Sequence, residues 1–174
     1  MIFRRMAQER ERFSSLAIQS HIRHTHTSVS FLQLPLKKLY VGLRAKNSDV
    51  INYVSVRDTP HFFFVKNFLE GTPISSVHGY EDYSQYLAAY WHPLDEDSFK
   101  NLIISIRENG YDADTKPILV VRSIRTPLPL GRYQVLDGFH RLAILAALGH
   151  HTVKVFRMRK KRRSMIKRFF LRGF

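Results

Sequence analysis

Apolar residues recur along the chain with the period of a strand in some segments and of a helix in others. Residues Val50–Val56 are rich in β-branched side chains and predict a strand. Aromatic and aliphatic residues then recur at helical spacing over His61–Glu70, behind a Thr59-Pro60 start and before Gly71. We therefore predict a strand followed by a capped helix whose aromatic side chains pack in the core.

The second half of the chain continues this alternation. A helix is predicted over Asp97–Asn109, with Asp95 or Asp97 as its cap and Gly110 as its stop. Strands are predicted at Ile118–Arg122, Arg132–Leu136 and Thr152–Phe156, and a further helix follows the second of them. This order predicts an α/β (mixed α+β) fold, in which helices pack on a small mixed β-sheet.

The segments that flank this domain are polar or basic. We predict a polar, partly helical extension over residues 1–30, a globular domain over 31–157 and a basic amphipathic helix over 158–174. The histidines of the extension lack the spacing of metal ligands, so no metal site is assigned to them. Within the domain, a stripe of Tyr, Leu and Trp at helical spacing over residues 79–91 is assigned to packing rather than to base stacking.

Charge adds information about partners. The chain has 28 Lys and Arg against 14 Asp and Glu, a net charge of +14, which implies anionic partners. It contains no cysteine, which excludes disulfides, a thiolate nucleophile and cysteine metal sites. No apolar run approaches the ~18 residues of a membrane-spanning helix. We expect a cytoplasmic protein whose basic tail places it peripherally at the inner membrane face.

The most informative segment is the strand–turn–helix of residues 135–149, VLDGFHRLAILAALG. Asp137-Gly138 is a tight-turn signal, and the start of a helix has unpaired N–H groups that attract anions. Gly138 lets a ligand approach the backbone, and the guanidinium of Arg141 matches a phosphate. These residues predict a phosphate cradle with the Asp137 carboxylate beside it, which could take a proton or help to hold a metal. An ordinary helix cap with a solvated Arg141 is the alternative interpretation.

The run DGFHRLAILAALG resembles the DGHHR-type motif of the ParB/sulfiredoxin superfamily, whose members bind nucleotide phosphates at this turn. The helix that ends at Gly110 and the Lys116-Pro117 pair before the next strand fit the same pattern, so the resemblance covers roughly residues 94–158. It implies a ParB/sulfiredoxin-like fold. Because sulfiredoxins need a cysteine in the corresponding turn, repair of sulfinic acids is excluded.

Within the superfamily, the motif is similar to that of the free-serine kinases. This resemblance implies a phosphotransferase that uses ATP or ADP together with Mg²⁺ to phosphorylate a hydroxyl group of a small molecule or glycan. It implies that Asp137 assists the acceptor hydroxyl and that Gly138, His140 and Arg141 hold the phosphates. Those kinases have an essential glutamate before the first helix, for which Glu96 is the expected counterpart and Asp95 the alternative.

A second helix start repeats the order of strand, carboxylate and histidine. Arg57 and His61 flank this start, and we predict that they face the nucleotide or the acceptor. An ordinary capped helix is the alternative.

Two other functions stay open. A ParB-like DNA-associated protein would bind through its basic tail, since only 25 residues follow Gly149 and the arginine-rich nucleotide signature of partition proteins is absent. A non-catalytic nucleotide-binding module is the other. The tail carries nine Lys or Arg over Arg157–Arg172, which predicts contact with an anionic membrane surface, with docking on the domain and nucleic-acid binding as alternatives.

Overall fold

The computed structural model describes residues 26–44, 51–72, 83, 94–122, 128 and 130–160. These residues form six strands and three α-helices, in the order β1 (His26–Pro35), β2 (Leu39–Arg44), β3 (Ile51–Ser55), α1 (Pro60–Leu69), α2 (Glu96–Asn109), β4 (Ile118–Arg122), β5 (Tyr133–Asp137), α3 (Phe139–Ala147) and β6 (Thr152–Lys160). Single 3-10 turns at Leu36–Lys38 and Val56–Asp58 join β1 to β2 and β3 to α1. None of the described helices is long and apolar enough to cross a bilayer.

The six strands form one mixed sheet in the order β1-β6-β4-β5-β2-β3. β6 pairs antiparallel with β1 and parallel with β4, and β5 pairs antiparallel with β4 and parallel with β2. The prediction of a mixed α/β fold is confirmed, and β4 and β5 are the two central strands. The turn after β5 therefore projects from the middle of the sheet.

Alternating side chains give the sheet two different faces. On the helical face, the buried side chains include Ile118, Val135 and Val155, which pack with residues of all three helices in the main core. Their sequence neighbours point to the opposite face and form a smaller cluster of Leu119 and Phe156 with Phe31, Leu136 and Met158. At the end of β5 this alternation is interrupted, because the register shifts between Leu119 and Val120 and Asp137 pairs with Leu119.

The first two helices begin at side-chain caps that the sequence indicates. Thr59 Oγ1 accepts the N–H of Phe62 at 3.2 Å, and Pro60 is the first helical residue. Asp95 Oδ1 accepts the N–H of Ser98 at 2.9 Å, and this bond is the main reason why the pKa of Asp95 lies below its ordinary value. Both caps satisfy N–H groups that a helix start leaves without a helical partner.

Two strands of the sheet lie where the sequence analysis placed none. β1 begins at His26, inside the segment predicted as an extension, and it pairs with β6 along its whole length. The other unpredicted strand is β2. β6 was predicted, but it continues to Lys160, three residues beyond the predicted end of the domain. The predicted helix of residues 79–91, apart from Tyr83, and most of the two terminal segments lie outside the described residues.

Candidate functional site

A single glycine turns the chain from the central strand into α3. β5 ends at Asp137 and α3 begins at Phe139, with Gly138 between them at φ 90° and ψ 26°. L-residues that have a side chain rarely adopt this left-handed backbone conformation. A Cβ atom at Gly138 would also lie 3.0 Å from Ile118 Cγ1 and 3.1 Å from Ile118 Cα. The turn therefore requires glycine both for its conformation and for the close approach of β4.

The start of α3 has no side-chain cap, in contrast to the starts of α1 and α2. Its first helical hydrogen bond runs from Leu142 N to Gly138 O at 2.9 Å. The N–H groups of the first turn precede this bond and carry the positive end of the helix dipole. The start of α3 thus has the backbone arrangement that suits an anion.

An ion pair bridges this turn. Arg141 Nη2 donates to Asp137 Oδ2 at 3.1 Å, and the two side chains are 13% and 22% exposed. The same nitrogen lies 3.1 Å from the position that a Cβ of Gly138 would occupy, so the guanidinium lies across the glycine. Asp137 thus pairs with Arg141 and does not cap the helix. A guanidinium has five N–H donors, and the bond to Asp137 leaves others for an anion.

A tyrosine that the sequence analysis did not consider lies at the same place. Tyr111 Oη accepts the N–H of Ile118, the residue that packs against Gly138, at 2.8 Å. Burial raises the pKa of Tyr111 to about 12, and the charges of Arg141, Asp112 and Asp137 also act on its hydroxyl. Its position directly after Gly110, in the loop that returns from α2 to β4, was the available sequence signal. A tyrosine in such a loop carries no chemical motif, so pattern analysis did not single it out.

His140 lies inside the protein, behind the turn. Its side chain is 7% exposed, and its Nε2 is 2.9 Å from Tyr83 Oη. Tyr83 Oη also donates to Leu94 O at 3.1 Å. Since a phenol has one proton, this pairing makes His140 Nε2 the donor to the Tyr83 oxygen.

His61 belongs to the same buried cluster. Its ring centroid is 4.8 Å from that of His140, and the His140 centroid is 4.5 Å from that of Phe99. Phosphate contact was predicted for both histidines, but the structure places them among aromatic rings in the core. The reason is helical geometry, because His140 and the fully buried Ile144 lie one turn apart on the same face of α3. Their predicted role as phosphate ligands gains no support from this position.

The part of the chain that contains the turn matches a known family. Residues 88–168 match the family model of the ParB N-terminal domain. The match covers 81 of the 174 residues and indicates a ParB-like region that includes α2, β4, β5, α3 and β6, and with them the Asp137–Arg141 turn. No curated protein and no solved structure shows a significant match to the chain.

Glu96 lies within the region that matches the ParB N-terminal domain, as the first residue of α2. Its carboxylate is 2.9 Å from Lys100 Nζ, one turn further along the helix. Among the described residues, no hydrogen bond or ion pair joins Glu96 to Asp137. Asp95, the alternative to Glu96, is the cap of the same helix. The structure thus assigns each of these carboxylates a local helical partner, and the catalytic role of Glu96 stays a prediction.

Arg57 and His61 precede the region that matches the ParB N-terminal domain and lie at the start of α1. Arg57 is exposed, and its backbone N–H bonds to Ser55 Oγ at 3.4 Å. The helix start beside it is occupied by the Thr59 cap. Of the predicted phosphate ligands, Gly138 and Arg141 therefore lie together at one turn, whereas Arg57 lies at another.

The described ranges contain no group of three or more His, Asp or Glu side chains that could hold a metal ion. Mg²⁺ in nucleotide enzymes is usually bound through one or two carboxylates and the substrate phosphates. Asp137, beside the uncapped helix start, is the carboxylate that fits this mode.

Proposed function

We propose that this ParB-like protein binds the phosphates of ATP or ADP at the start of α3 and transfers a phosphoryl group to a hydroxyl of a small molecule or glycan. The observation that carries the proposal is the convergence of Gly138, the uncapped helix start and Arg141 beside the Asp137 carboxylate. Groups that can bind an anion and a carboxylate that can accept a proton then lie within one helical turn of each other.

Binding of the phosphates uses backbone and side chain together. The N–H groups of the first turn of α3, which no side chain caps, would bind a phosphate oxygen. The free donors of Arg141 add a charge-assisted bond from the side of β5. Since phosphoryl transfer depends chiefly on positioning and charge neutralisation, this arrangement suits the terminal phosphate of a nucleotide.

In the proposed phosphoryl transfer, Asp137 and Arg141 have one role each. The acceptor oxygen forms a bond to the terminal phosphorus while the bond from that phosphorus to the bridging oxygen breaks and the nucleotide product leaves. Asp137 takes the proton of the acceptor hydroxyl, and Arg141 stabilises the negative charge on the transferred group. Asp137 is also the residue that would hold Mg²⁺, which would neutralise further negative charge on the phosphates.

A nucleotide-binding module without catalysis is the second candidate function. Its support is the engagement of both predicted catalytic carboxylates, Asp137 with Arg141 and Glu96 with Lys100. In this alternative the turn holds the nucleotide, and Asp137 serves to position the guanidinium.

The first test is thermal unfolding with ATP, ADP, GTP or a DNA duplex, each with and without Mg²⁺. A ligand that binds the folded state at a hundredfold excess over Kd stabilises it by about 2.7 kcal/mol. We expect a nucleotide response in the wild type, and we expect Arg141→Ala to weaken the binding free energy by about 1.5–3 kcal/mol, which removes about half of this stabilisation or more. Arg122→Ala, an exposed arginine at the other end of the central strands, is the matched control and leaves the response unchanged.

Three results would overturn parts of this proposal. A response to DNA alone identifies a DNA-associated protein. Loss of the nucleotide response in Arg57→Ala but not in Arg141→Ala places the phosphates at α1. Nucleotide binding without transfer of labelled terminal phosphate to serine, related hydroxy compounds or sugars favours the non-catalytic module.

A further inference from the structure

We infer that Tyr111 is an additional anion-binding residue of this site, whose phenol hydrogen bonds to an oxygen of the bound phosphate. The inference rests on the proposed phosphate binding at α3 and adds a third type of donor from a separate element, the loop between α2 and β4. Tyr111 would then act as a neutral hydrogen-bond donor beside the charged Arg141.

The hydroxyl of Tyr111 is held at the turn through its oxygen. That oxygen accepts the N–H of Ile118 at 2.8 Å, and Ile118 in turn contacts Gly138 closely enough to exclude a Cβ. Within the described part of the chain, this is the hydrogen bond of the Tyr111 side chain, and the phenol hydrogen has no acceptor. The group is therefore fixed in place with its donor still available.

The loop that carries Tyr111 is itself braced. Asp112 Oδ1 accepts the N–H groups of Asp114 at 2.8 Å and Thr115 at 3.2 Å, and Asp112 Oδ2 accepts the Thr115 hydroxyl at 2.6 Å. Lys154 of β6 adds a bond of 2.9 Å to Asp114. These contacts hold the loop before any ligand arrives, which lowers the entropic cost of using its tyrosine.

The raised pKa of Tyr111 determines whether its phenol is protonated. Its pKa of about 12 keeps the phenol protonated at neutral pH, so the group donates and does not act as a base. Arg141 and Asp137 both contribute to the potential at its hydroxyl, which places that hydroxyl within electrostatic reach of the ion pair. A neutral donor here favours an anion without adding to the charge that the site has to desolvate.

Binding of Mg²⁺-ATP and of inorganic phosphate to Tyr111→Phe tests the inference. The variant keeps the ring but has no donor, and we expect the Kd to rise about tenfold, as for one bond to a charged group. Tyr53→Phe on β3, a half-buried tyrosine on the edge strand, is the matched control, and its Kd stays within about twofold of wild type. Stoichiometry of binding gives the folded fraction separately from the Kd.

A second variant separates donation from structure, because Phe also removes the acceptor of the Ile118 N–H. O-methyltyrosine at position 111 keeps that acceptor but has no hydrogen to donate. A raised Kd in this variant and in Tyr111→Phe supports the inference, and should Tyr111→Phe not fold, the O-methyltyrosine variant decides.

Two outcomes overturn it, and they differ in what they imply for the site. An unchanged Kd in the variants that fold, together with weakened binding in Arg141→Ala, removes Tyr111 from the site and leaves the proposed function intact. Absence of nucleotide and phosphate binding in the wild type removes both.

Discussion

The guanidinium of Arg141 and the carboxylate of Asp137 are 3.1 Å apart, one helical turn from each other, and they meet over Gly138. In the proposed function, a phosphate competes with Asp137 for Arg141. Transfer of Arg141 to the phosphate frees the Asp137 carboxylate to accept a hydrogen bond from the acceptor hydroxyl. Phosphate binding and activation of the base are then coupled through one ion pair.

This coupling predicts opposite effects of Asp137→Asn on binding and on catalysis. The variant frees Arg141 and removes a negative charge beside the phosphates, so affinity for nucleotide without Mg²⁺ should rise by roughly 1 kcal/mol, or about fivefold. Phosphoryl transfer should fall by about 10²–10⁴-fold, because a general base is lost. Calorimetric binding and a labelled-phosphate assay measure the two quantities, and Asp97→Asn on the exposed face of α2 is the control. Retained transfer would show that Asp137 is a structural partner of Arg141.

The Gly138→Ala variant tests how much stability the turn gains from the left-handed conformation of glycine and how much from the close contact with Ile118. We expect a loss of about 2–4 kcal/mol in the free energy of unfolding, from the left-handed conformation and from the contact with Ile118. Gly149→Ala is a matched control, since Gly149 has φ 87° and no atom lies within 4 Å of its added Cβ. It should lose about 1–2 kcal/mol, from conformation alone. Urea unfolding measures both values, and equal losses would mean that β4 yields to the added methyl group.

Alkaline pH should destabilise the fold through Tyr111. Its pKa is 10.0 when unperturbed and about 12 in the folded protein, so folding disfavours the phenolate. The resulting stabilisation is fully present below pH 10 and is lost as the pH rises from 10 to 12. Two pKa units correspond to at most about 2–3 kcal/mol. Urea unfolding across this range should show a shallower decline for Tyr111→Phe than for wild type, and identical slopes would contradict the assignment.

Removal of residues 161–174 tests the predicted membrane contact. The cut follows Lys160 because Arg159 and Lys160 pair with β1, and an earlier cut would shorten the sheet. The removed segment has six Lys or Arg, and such residues near an anionic bilayer contribute about 1 kcal/mol each. Cosedimentation with anionic vesicles should be lost and nucleotide binding kept. Equal vesicle binding with and without the segment would exclude this role.

The sequence predicted those elements whose signals are local. Thr59-Pro60, Asp95 and Gly110 define where α1 and α2 begin or end, and the structure confirms these boundaries within one or two residues. The Asp-Gly turn gave the junction of β5 and α3 for the same reason. Caps and tight turns depend on a few consecutive residues, so they can be recognised without tertiary information.

Elements that depend on distant partners were missed. The first half of β1 is polar and contains Thr27, Ser28 and Ser30, and it is a strand because β6, more than a hundred residues later, pairs with it. At the site, the type of residue at position 140 suggested a ligand, but the face of α3 on which it lies decided its burial. Tyr111 reaches the turn through the fold of a loop that no short motif describes.

The pairing of His26 with Lys160 has a practical consequence for attaching this protein to anything else. Residues 1–25 and 161–174 are joined to the sheet at neighbouring positions of one corner. Asp137 and Phe156 lie at the same height in the sheet, because both pair with Leu119. Lys160 follows Phe156 in β6 and lies about 13 Å further along the strand, at ~3.3 Å per residue. A tether, tag or fusion partner on either terminal segment would therefore be connected at the end of the sheet that is remote from Gly138. Surface immobilisation through either one should leave the Asp137–Arg141 turn open to solution.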